Sequence, residues 1–536
     1  MKSLIILTRQ VLIEFGNLLG TDTSRDWETV STRSRCEGIS FLTITLPDFA
    51  HQLEGCLSRG QARPSDFPGF KTSKSGHLPA FLQGFVSLIF DRNTGKLLSE
   101  PSSEAIQAIR QICLLHSKVE MPTTERRERR AFKQFIECEK EMYAREESDR
   151  EGHYGPLRPI FTLLFGDICN RLDRMLYDLD DAIVPKHGPG STADRLGSNS
   201  RWLLRTWTSR LEEVLPAWFM AVPNEKWASI FYDGSSLLEP GSEPPVRVVS
   251  VPKTLKTPRI IAMEPAHMQY VQQALKMLLV PALEESPVVK DFVRFTDQVP
   301  NQELARKGSV DGSLATLDLS EASDRVSNLL VLEMFEYWPH LSAAIQASRS
   351  TRADVPGHGV IPLTKFASMG SALTFPIEAM IFLTVIIYSI FNQLELSSSQ
   401  YRKGLNDLRG LVAVYGDDII VPADQVHGVI ADLELFGFKV NARKSFWSGR
   451  FRESCGKEYF NGDDVSVVKV RRTIPKSRQQ ATEVASWVST RNQFYWSGLW
   501  QTARYLDSWL QKLLKFYNTV PSSSSVLGRH SAVSPR

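Results

Sequence analysis

Val412-Ala413-Val414-Tyr415-Gly416-Asp417-Asp418-Ile419-Ile420-Val421-Pro422 sets two adjacent carboxylates between two apolar runs. Val412–Tyr415 and Ile419–Val421 are mostly β-branched or aromatic and read as short strands, with Gly416-Asp417 as the turn of a hairpin. Aspartates at such a tip sit on rigid elements and point outward. Their charges repel unless a cation lies between them, and two hard oxygen donors suit Mg²⁺ or Mn²⁺. A surface hairpin with a solvated turn is the other reading of these residues alone.

Working back along the chain, Leu314–Leu319 alternates as a strand does, and a helix is expected to open near Ser320, with Glu321 in its first turn. Asp318 then ends an apolar strand and must find partners. Asp324 falls on the following turn, where helix capping is the plain alternative. Ser368-Met369-Gly370-Ser371 is a small-residue loop entering an apolar helix. Pro376 is tolerable in its first turn, and spacings of three and four place Ser371, Thr374 and Glu378 on one face. The apolar stretch Ala379–Leu394 falls short of the roughly 20 residues a membrane span needs and reads as a buried helix.

Val251-Pro252-Lys253-Thr254-Leu255-Lys256-Thr257-Pro258-Arg259 spaces three cations three residues apart, and its prolines exclude a helix interior. A rigid, extended segment with that charge suits a polyphosphate; a basic surface loop is the alternative. The run 121–152, including Glu125-Arg126-Arg127-Glu128-Arg129-Arg130, pairs opposite charges at helical spacing and reads first as a solvated helix face, with an RNA-contacting surface as the second reading. Lys186-His187-Gly188-Pro189-Gly190-Ser191 is a loop whose glycines allow close backbone approach. Trp202, Trp207, Trp218 and Trp227 are irregularly spaced, which suits core packing. Downstream, Phe436–Phe446 carries Lys439, Arg443 and Lys444, and Phe451–Lys457 reads as turn and strand.

The 536 residues exceed one compact core, so two or three subdomains are expected. A net charge of +3 by itself argues for no particular partner. Six cysteines with no CxxC pair read as reduced, buried thiols of a cytosolic protein. The apolar start of the chain is too short for a signal peptide.

Asp318 with Asp324, then Ser368-Met369-Gly370, then Tyr415-Gly416-Asp417-Asp418, stand in the order of the palm motifs of viral RNA-dependent RNA polymerases. The wording around them resembles the replicase catalytic subunit of the positive-strand RNA bacteriophages, the levivirus group. Val251-Pro252-Lys253, Lys256-Thr257, Arg259 and Glu264-Pro265 are similar to its triphosphate-binding stretch. Gly437-Phe438 with Lys444, and Phe451-Arg452-Glu453-Ser454-Cys455-Gly456, are similar to its later motifs. The resemblance covers 248–470. Ser371 departs from it, because the family commonly has Asn after Ser-Met-Gly.

The resemblance implies an α+β right-hand polymerase fold with fingers, a palm whose antiparallel sheet is backed by helices, and a thumb. The expected division is 1–260 for the N-terminal region and fingers, 261–470 for the palm with a fingers insertion at about 325–365, 471–520 for a helical thumb, and 521–536 for a disordered tail. It implies an RNA-directed RNA polymerase, a nucleotidyltransferase working through two Mg²⁺ ions, with Mn²⁺ an alternative. Asp318 and Asp417 would bridge the ions, and Asp418 would assist. Lys253, Lys256 and Arg259 would neutralise the triphosphate, and Lys444 would protonate the leaving pyrophosphate. Asp324 would accept from the ribose 2′-hydroxyl, with Thr374 or Glu378 fixing the geometry and Ser368 and Gly370 shaping the nucleotide site. Asp324 and Glu378 would repel, so one is expected to be protonated or bridged by water. Implied partners are template and nascent RNA, ribonucleoside triphosphates and host translation factors, without a membrane, in the cytoplasm of an infected bacterium. A reverse transcriptase shares the metal carboxylates but usually has an aromatic or small residue near the position of Asp324. A non-catalytic RNA-binding protein would make the three aspartates a coincidence.

Overall fold

The structure, a computed structural model, describes residues 2–73, 76–148, 154–197, 200–202, 204–222, 224–234 and 236–533. Helices α1 (Lys2–Leu19), α2 (Leu46–Arg59) and α3 (Ser103–Leu114) open the chain, and the long helix α4 (Glu125–Ser148) and helix α5 (Arg158–Asp178) follow. Strands β1 (Val246–Val251) and β2 (Arg259–Met263) lead into helices α6 (Ala266–Glu285) and α7 (Val299–Asp311) and then strand β3 (Leu314–Asp318). Strands β4 (Arg352–Val355) and β5 (Gly359–Pro362) precede helix α8 (Thr374–Gln393), and the hairpin β6 (Ala413–Tyr415) and β7 (Asp418–Pro422) precedes helix α9 (Val426–Leu435). A second hairpin, β8 (Phe451–Ser454) and β9 (Lys457–Phe460), and helices α10 (Ala481–Trp496) and α11 (Trp500–Leu514) complete the fold.

The expected α+β architecture is borne out. The central sheet is antiparallel, ordered β3-β7-β6. Helix α8 backs it. This helix is apolar on every side and so must be enclosed. Its length and composition would let it cross a membrane, and nearly all its side chains are buried in the protein. A second sheet, ordered β2-β1-β4-β5, joins the basic stretch to the insertion after β3.

Among the described residues, two large hydrophobic cores and two smaller clusters organise these elements. One core runs from Tyr154 to Phe438 around α8. The other unites the first 120 residues with Phe446, Phe451, Phe460 and the last two helices. The cause is that neither terminal segment can bury its apolar face alone. Leu4, Leu7, Val11 and Phe15 form one stripe of α1, while α11 presents Ala503, Leu506 and Leu510. Glu14 adds a cap: its carboxylate accepts from the Gln501 and Thr502 N–H groups, each at 2.8 Å, at the start of α11.

Four expectations are corrected. No helix opens at Ser320: its N–H is committed to the Lys439 carbonyl, and Glu321 takes a left-handed φ of 56°, which stops helical propagation. A single 3₁₀ turn, Ser323–Arg325, follows, and the α-helix begins only at Asn328, where the Ser327 hydroxyl accepts from the Leu330 N–H. Residues 521–533 are not a structureless tail. Arg529 and His530 run parallel to Thr519 and Val520, and Asn492 bonds the Gly528 carbonyl and the His530 N–H. The remaining tail residues 534–536 lie outside the described residues. Trp207 is a core residue as expected, but Trp218 and Trp227 are 55% and 45% exposed; the side chain of Trp202 lies outside the described residues. Cys36 is exposed, whereas the other five thiols are buried.

The seam between the chain's two ends rests on Arg110. Its guanidinium, 1% exposed, lies 2.9 Å from both Glu54 and Glu458 and donates to the Val465 carbonyl at 2.6 Å. Arg110 and His51 hold Glu54 down at about 2 despite its burial, while Glu453 beside them is pushed up to about 7 by burial and the neighbouring carboxylates. Arg110→Met leaves the buried Glu54 with His51 and the buried Glu458 with Lys469 as their remaining cationic partners. It should cost about 3–5 kcal/mol of unfolding free energy in a denaturant titration, the range for breaking a buried pair from one side.

Candidate active site

The β6–β7 hairpin is the two-residue type read from the sequence: Tyr415 pairs with Asp418 across Gly416-Asp417. Gly416 adopts φ 59°, and a Cβ there would lie 2.4 Å from the Phe375 ring. Conformation and space both require glycine. On the other side of β7, the register sets Asp318 opposite Asp418. The three aspartates therefore meet at one end of the sheet.

Their surroundings differ. Asn441 donates to Asp318 Oδ2 at 2.8 Å, Lys444 Nζ lies 3.6 Å from Oδ1, and the Asp318 N–H donates to the Ser445 hydroxyl at 3.1 Å. Burial still pushes the Asp318 carboxyl above its ordinary value, with Asp417 adding and Lys444 and Asn441 opposing. Asp418 rises to about 6, through burial and then Asp417, although the backbone of Cys455 in the β8–β9 turn bonds it. Glu378 rises well above the carboxylate range through burial and the charges of Asp417 and Asp324. Glu378 is thus disposed to hold a proton. Burial, then Arg259 and Lys444, press Lys253 down, against the pull of Asp417 and Asp318. Lys253 consequently belongs to the same charge cluster. Among the described residues, no three Asp, Glu, His or Cys side chains are grouped so as to hold a metal ion.

The remaining expected residues divide. Arg259 opens β2 and neighbours Lys253, but Lys256 is turned away to an ion pair with Asp48 of α2 at 3.1 Å. Gly370 has φ 142°, and a Cβ there would lie 1.9 Å from the Ala262 carbonyl oxygen. That glycine lets the loop lie against β2, where the Ala262 N–H donates to the Met369 carbonyl at 2.9 Å. Ser371 lies ahead of α8, so it does not share the helical face of Thr374 and Glu378; its hydroxyl accepts from the Leu373 N–H. The Thr374 hydroxyl is committed to the Ser368 carbonyl at 2.9 Å, whereas the buried Ser368 hydroxyl has no partner. The Gly188 loop packs on α6: a Cβ there would lie 2.9 Å from the Gln273 side chain, and the His187 ring stacks beside Tyr270.

Asp324 does not cap a helix. Its carboxylate meets the ammonium of Lys365 at 3.0 Å, and Lys365 is fully buried. Lys365, Asn441 and Ser445 carried no signal that singled them out. Each is a common residue type whose partner lies more than 40 positions away.

Residues 242–481 match the family model for RNA replicase, beta-chain. The chain is similar to the RNA-directed RNA polymerase beta chain of Enterobacteria phage fr, at 36% identity over 227 residues, 42% of this chain and 38% of that protein. It is similar also to the RNA-directed RNA polymerase subunit beta of Enterobacteria phage SP, at 38% identity over 234 residues, 42% of this chain and 36% of that protein. The matched segment thus spans well under half the length of these relatives. A solved RdRp complex aligns with 89% of this chain and 47% of its own at 11% identity and a TM-score of 0.43.

The raised Asp418 carboxyl has a signed consequence for stability. A folded-state value above the ordinary 3.8 means that the fold holds the proton more tightly than the unfolded chain does. Stability is then lost as pH rises through the interval from 3.8 to about 6, and the penalty persists above it. Asp418→Asn keeps an acceptor for Cys455 and removes the charge. In the absence of divalent ions it should stabilise the protein by on the order of 1 kcal/mol near neutral pH and by nothing well below pH 4, read from melting curves across pH.

Proposed function

We propose that this chain, matched over residues 242–481 by the RNA replicase beta-chain family, is the RNA-directed RNA polymerase of a single-stranded RNA bacteriophage, working by two-metal nucleotidyl transfer. The observation that carries the reading is the meeting of Asp318, Asp417 and Asp418 at one sheet end, with Lys444 and Lys253 beside them. Burial and mutual repulsion raise two of these carboxyls. Hard oxygen donors crowded in this way fit Mg²⁺ or Mn²⁺, which would offset the charge.

Asp318 and Asp417 would hold the ions, and Asp418, bonded by the Cys455 backbone, would assist by its charge. Bound divalent ions supply activation of a 3′-hydroxyl and stabilisation of a leaving pyrophosphate. Asn441 and Ser445 fix the Asp318 side chain and backbone. Lys253 and Arg259 neutralise the triphosphate, and Lys256 joins only when its pair with Asp48 opens. Lys444 holds a proton at Nζ, within reach of the reacting phosphates; its pKa is raised chiefly by Asp318 against burial. Asp324 accepts from the ribose 2′-hydroxyl, and protonated Glu378 can stand beside it without repulsion. Template and nascent RNA and ribonucleoside triphosphates are the ligands. Host translation factors are the proposed partners, and the cytoplasm of the infected bacterium is the proposed setting.

Template-directed incorporation of ribonucleotides against deoxyribonucleotides on an RNA template separates this reading from a reverse transcriptase. Asp318→Asn or Asp417→Asn should abolish synthesis and leave RNA binding nearly intact, with Asp418→Asn milder. Mg²⁺ should raise the melting temperature of the wild type but of neither inactive variant. Parallel loss of RNA binding would make the carboxylates structural. Lys444→Leu should lower kcat by about 100-fold and erase the alkaline limb of its pH profile, the mark of a lost general acid. An unchanged kcat and profile would exclude that role.

A further inference from the structure

We propose that Lys365 is the positioning residue behind sugar selectivity: its buried ammonium, anchored on Glu139 of α4, fixes the Asp324 carboxylate toward the nucleotide site. This rests on the reading of Asp324 as the 2′-hydroxyl acceptor.

Lys365 is 0% exposed. Its Nζ lies 3.0 Å from Asp324, 3.1 Å from Glu139 and 3.5 Å from the centroid of the Phe135 ring. The second Glu139 oxygen accepts from the Thr364 N–H at 2.8 Å, so the anchor is held on both sides. The Lys365 backbone is also clamped. Its carbonyl accepts from Arg349 at 2.7 Å, and the residue bridges to Ser327. A lysine held by backbone and side chain cannot swing with a flexible partner. Asp324 must come to it.

Lys365 stands between the carboxylates of Asp324 and Glu139, and the Arg349 guanidinium acts on Glu139 as well. Glu139 is enclosed, but the Asp324 side chain keeps 21% exposure. Asp324 is therefore the one carboxylate of this cluster open to an outside partner, and a hydroxyl donor could meet it there. Helix α8, which carries Glu378, packs on both the Ser323–Arg325 turn and β6, and the charges of Asp324 and Asp417 both act on Glu378. A purely structural ion pair needs no such neighbourhood.

Helix α4 braces the same turn at further points. Gln134 donates to Glu321 at 2.5 Å, Cys138 Sγ donates to the Asp324 carbonyl at 3.5 Å, and Glu141 accepts from Arg325 at 2.8 Å. The charge run that reads as a solvated face thus turns one side onto the turn that follows β3.

The test is a double-mutant cycle between Lys365→Met and Asp324→Ala in the full chain. The readouts are the ratio of kcat/KM for GTP over dGTP and, independently, the ratio of their dissociation constants. Melting curves check folding. Lys365→Met should lower the ribose preference by about tenfold, the effect of loosening one charged hydrogen-bond partner. In the Asp324→Ala background it should lower it no further, because it acts through that residue. Lys365→Arg should restore part of the preference. A folded Lys365→Met with the wild-type ratio, or losses that multiply in the double variant, would overturn the proposal. If Lys365→Met does not fold, Glu139→Gln, which keeps the ammonium but weakens its anchor, should still lower the ratio, and an unchanged ratio overturns the proposal. A wild type that incorporates no nucleotide defeats the polymerase reading, while the binding ratios still decide the role of Lys365. A wild type without ribose preference in either readout defeats both.

Discussion

The pairing of β3 with β7 is the constraint on which the site depends. Five residue pairs, from Leu314 with Pro422 to Asp318 with Asp418, fix the register. A slip of one residue would reverse which faces the apolar side chains occupy and would carry Asp318 away from the hairpin tip. The register is enforced from the apolar end. Leu314, Ala315, Leu317, Ile419, Ile420 and Val421 are all buried, and only the last pair is acidic. Like charges directly opposite one another weaken a sheet by about 0.2–1 kcal/mol. The buried part of the ladder and α8 behind it outweigh that cost.

Containment of the negative charge explains much of the surrounding structure. The segment after α9 returns along β3: Thr316 exchanges backbone bonds with Phe446, Asn441 donates to the Asp318 carbonyl, and Ser320 donates to the Lys439 carbonyl. This is how Asn441 and Lys444 reach Asp318 at all. The β8–β9 hairpin brings the Cys455 backbone to Asp418 from the other side. That hairpin is held in turn by the buried Arg110 cluster of the first 120 residues. Each layer outward from the aspartates fixes the one inside it.

The parts legible in the sequence were those specified locally. β-Branched runs around Gly416-Asp417 make a hairpin by themselves, and a polar residue ending an apolar run, as Asp318 does, marks a strand end. An all-round apolar α8 has to be buried. What stayed hidden was decided by distant partners. Lys365 is an ordinary lysine until Glu139 and Asp324 enclose it. Gly370 looks like a flexible loop glycine, yet its conformation answers to the Ala262 carbonyl. The start of the chain has no motif because its role is to complete a core with α10 and α11. Ser320 has every local qualification of a helix cap, but the left-handed conformation of Glu321 directly after it turns the chain out of a helix.

Helix α4 carries the last step of this logic. Toward its N-terminus, Arg127 donates to the Leu255 carbonyl at 2.8 Å, and Glu128 accepts from Ser250 at 3.2 Å. Both partners flank Lys253. Three to four turns along the same helix, Glu139 holds Lys365 and Glu141 holds Arg325. One rigid rod of 24 residues therefore spans the stretch proposed for the triphosphate and the turn proposed for the sugar. These two segments lie some 70 positions apart in sequence and belong to different sheets. Without a common support, their spacing would rest on loops, and a loop-borne site is less precise than one borne on a helix. The cost of such a strut is a highly charged sequence, because it must hold polar groups on one side and face water on the other. That double duty accounts for a charge run that, read alone, shows only its solvated half.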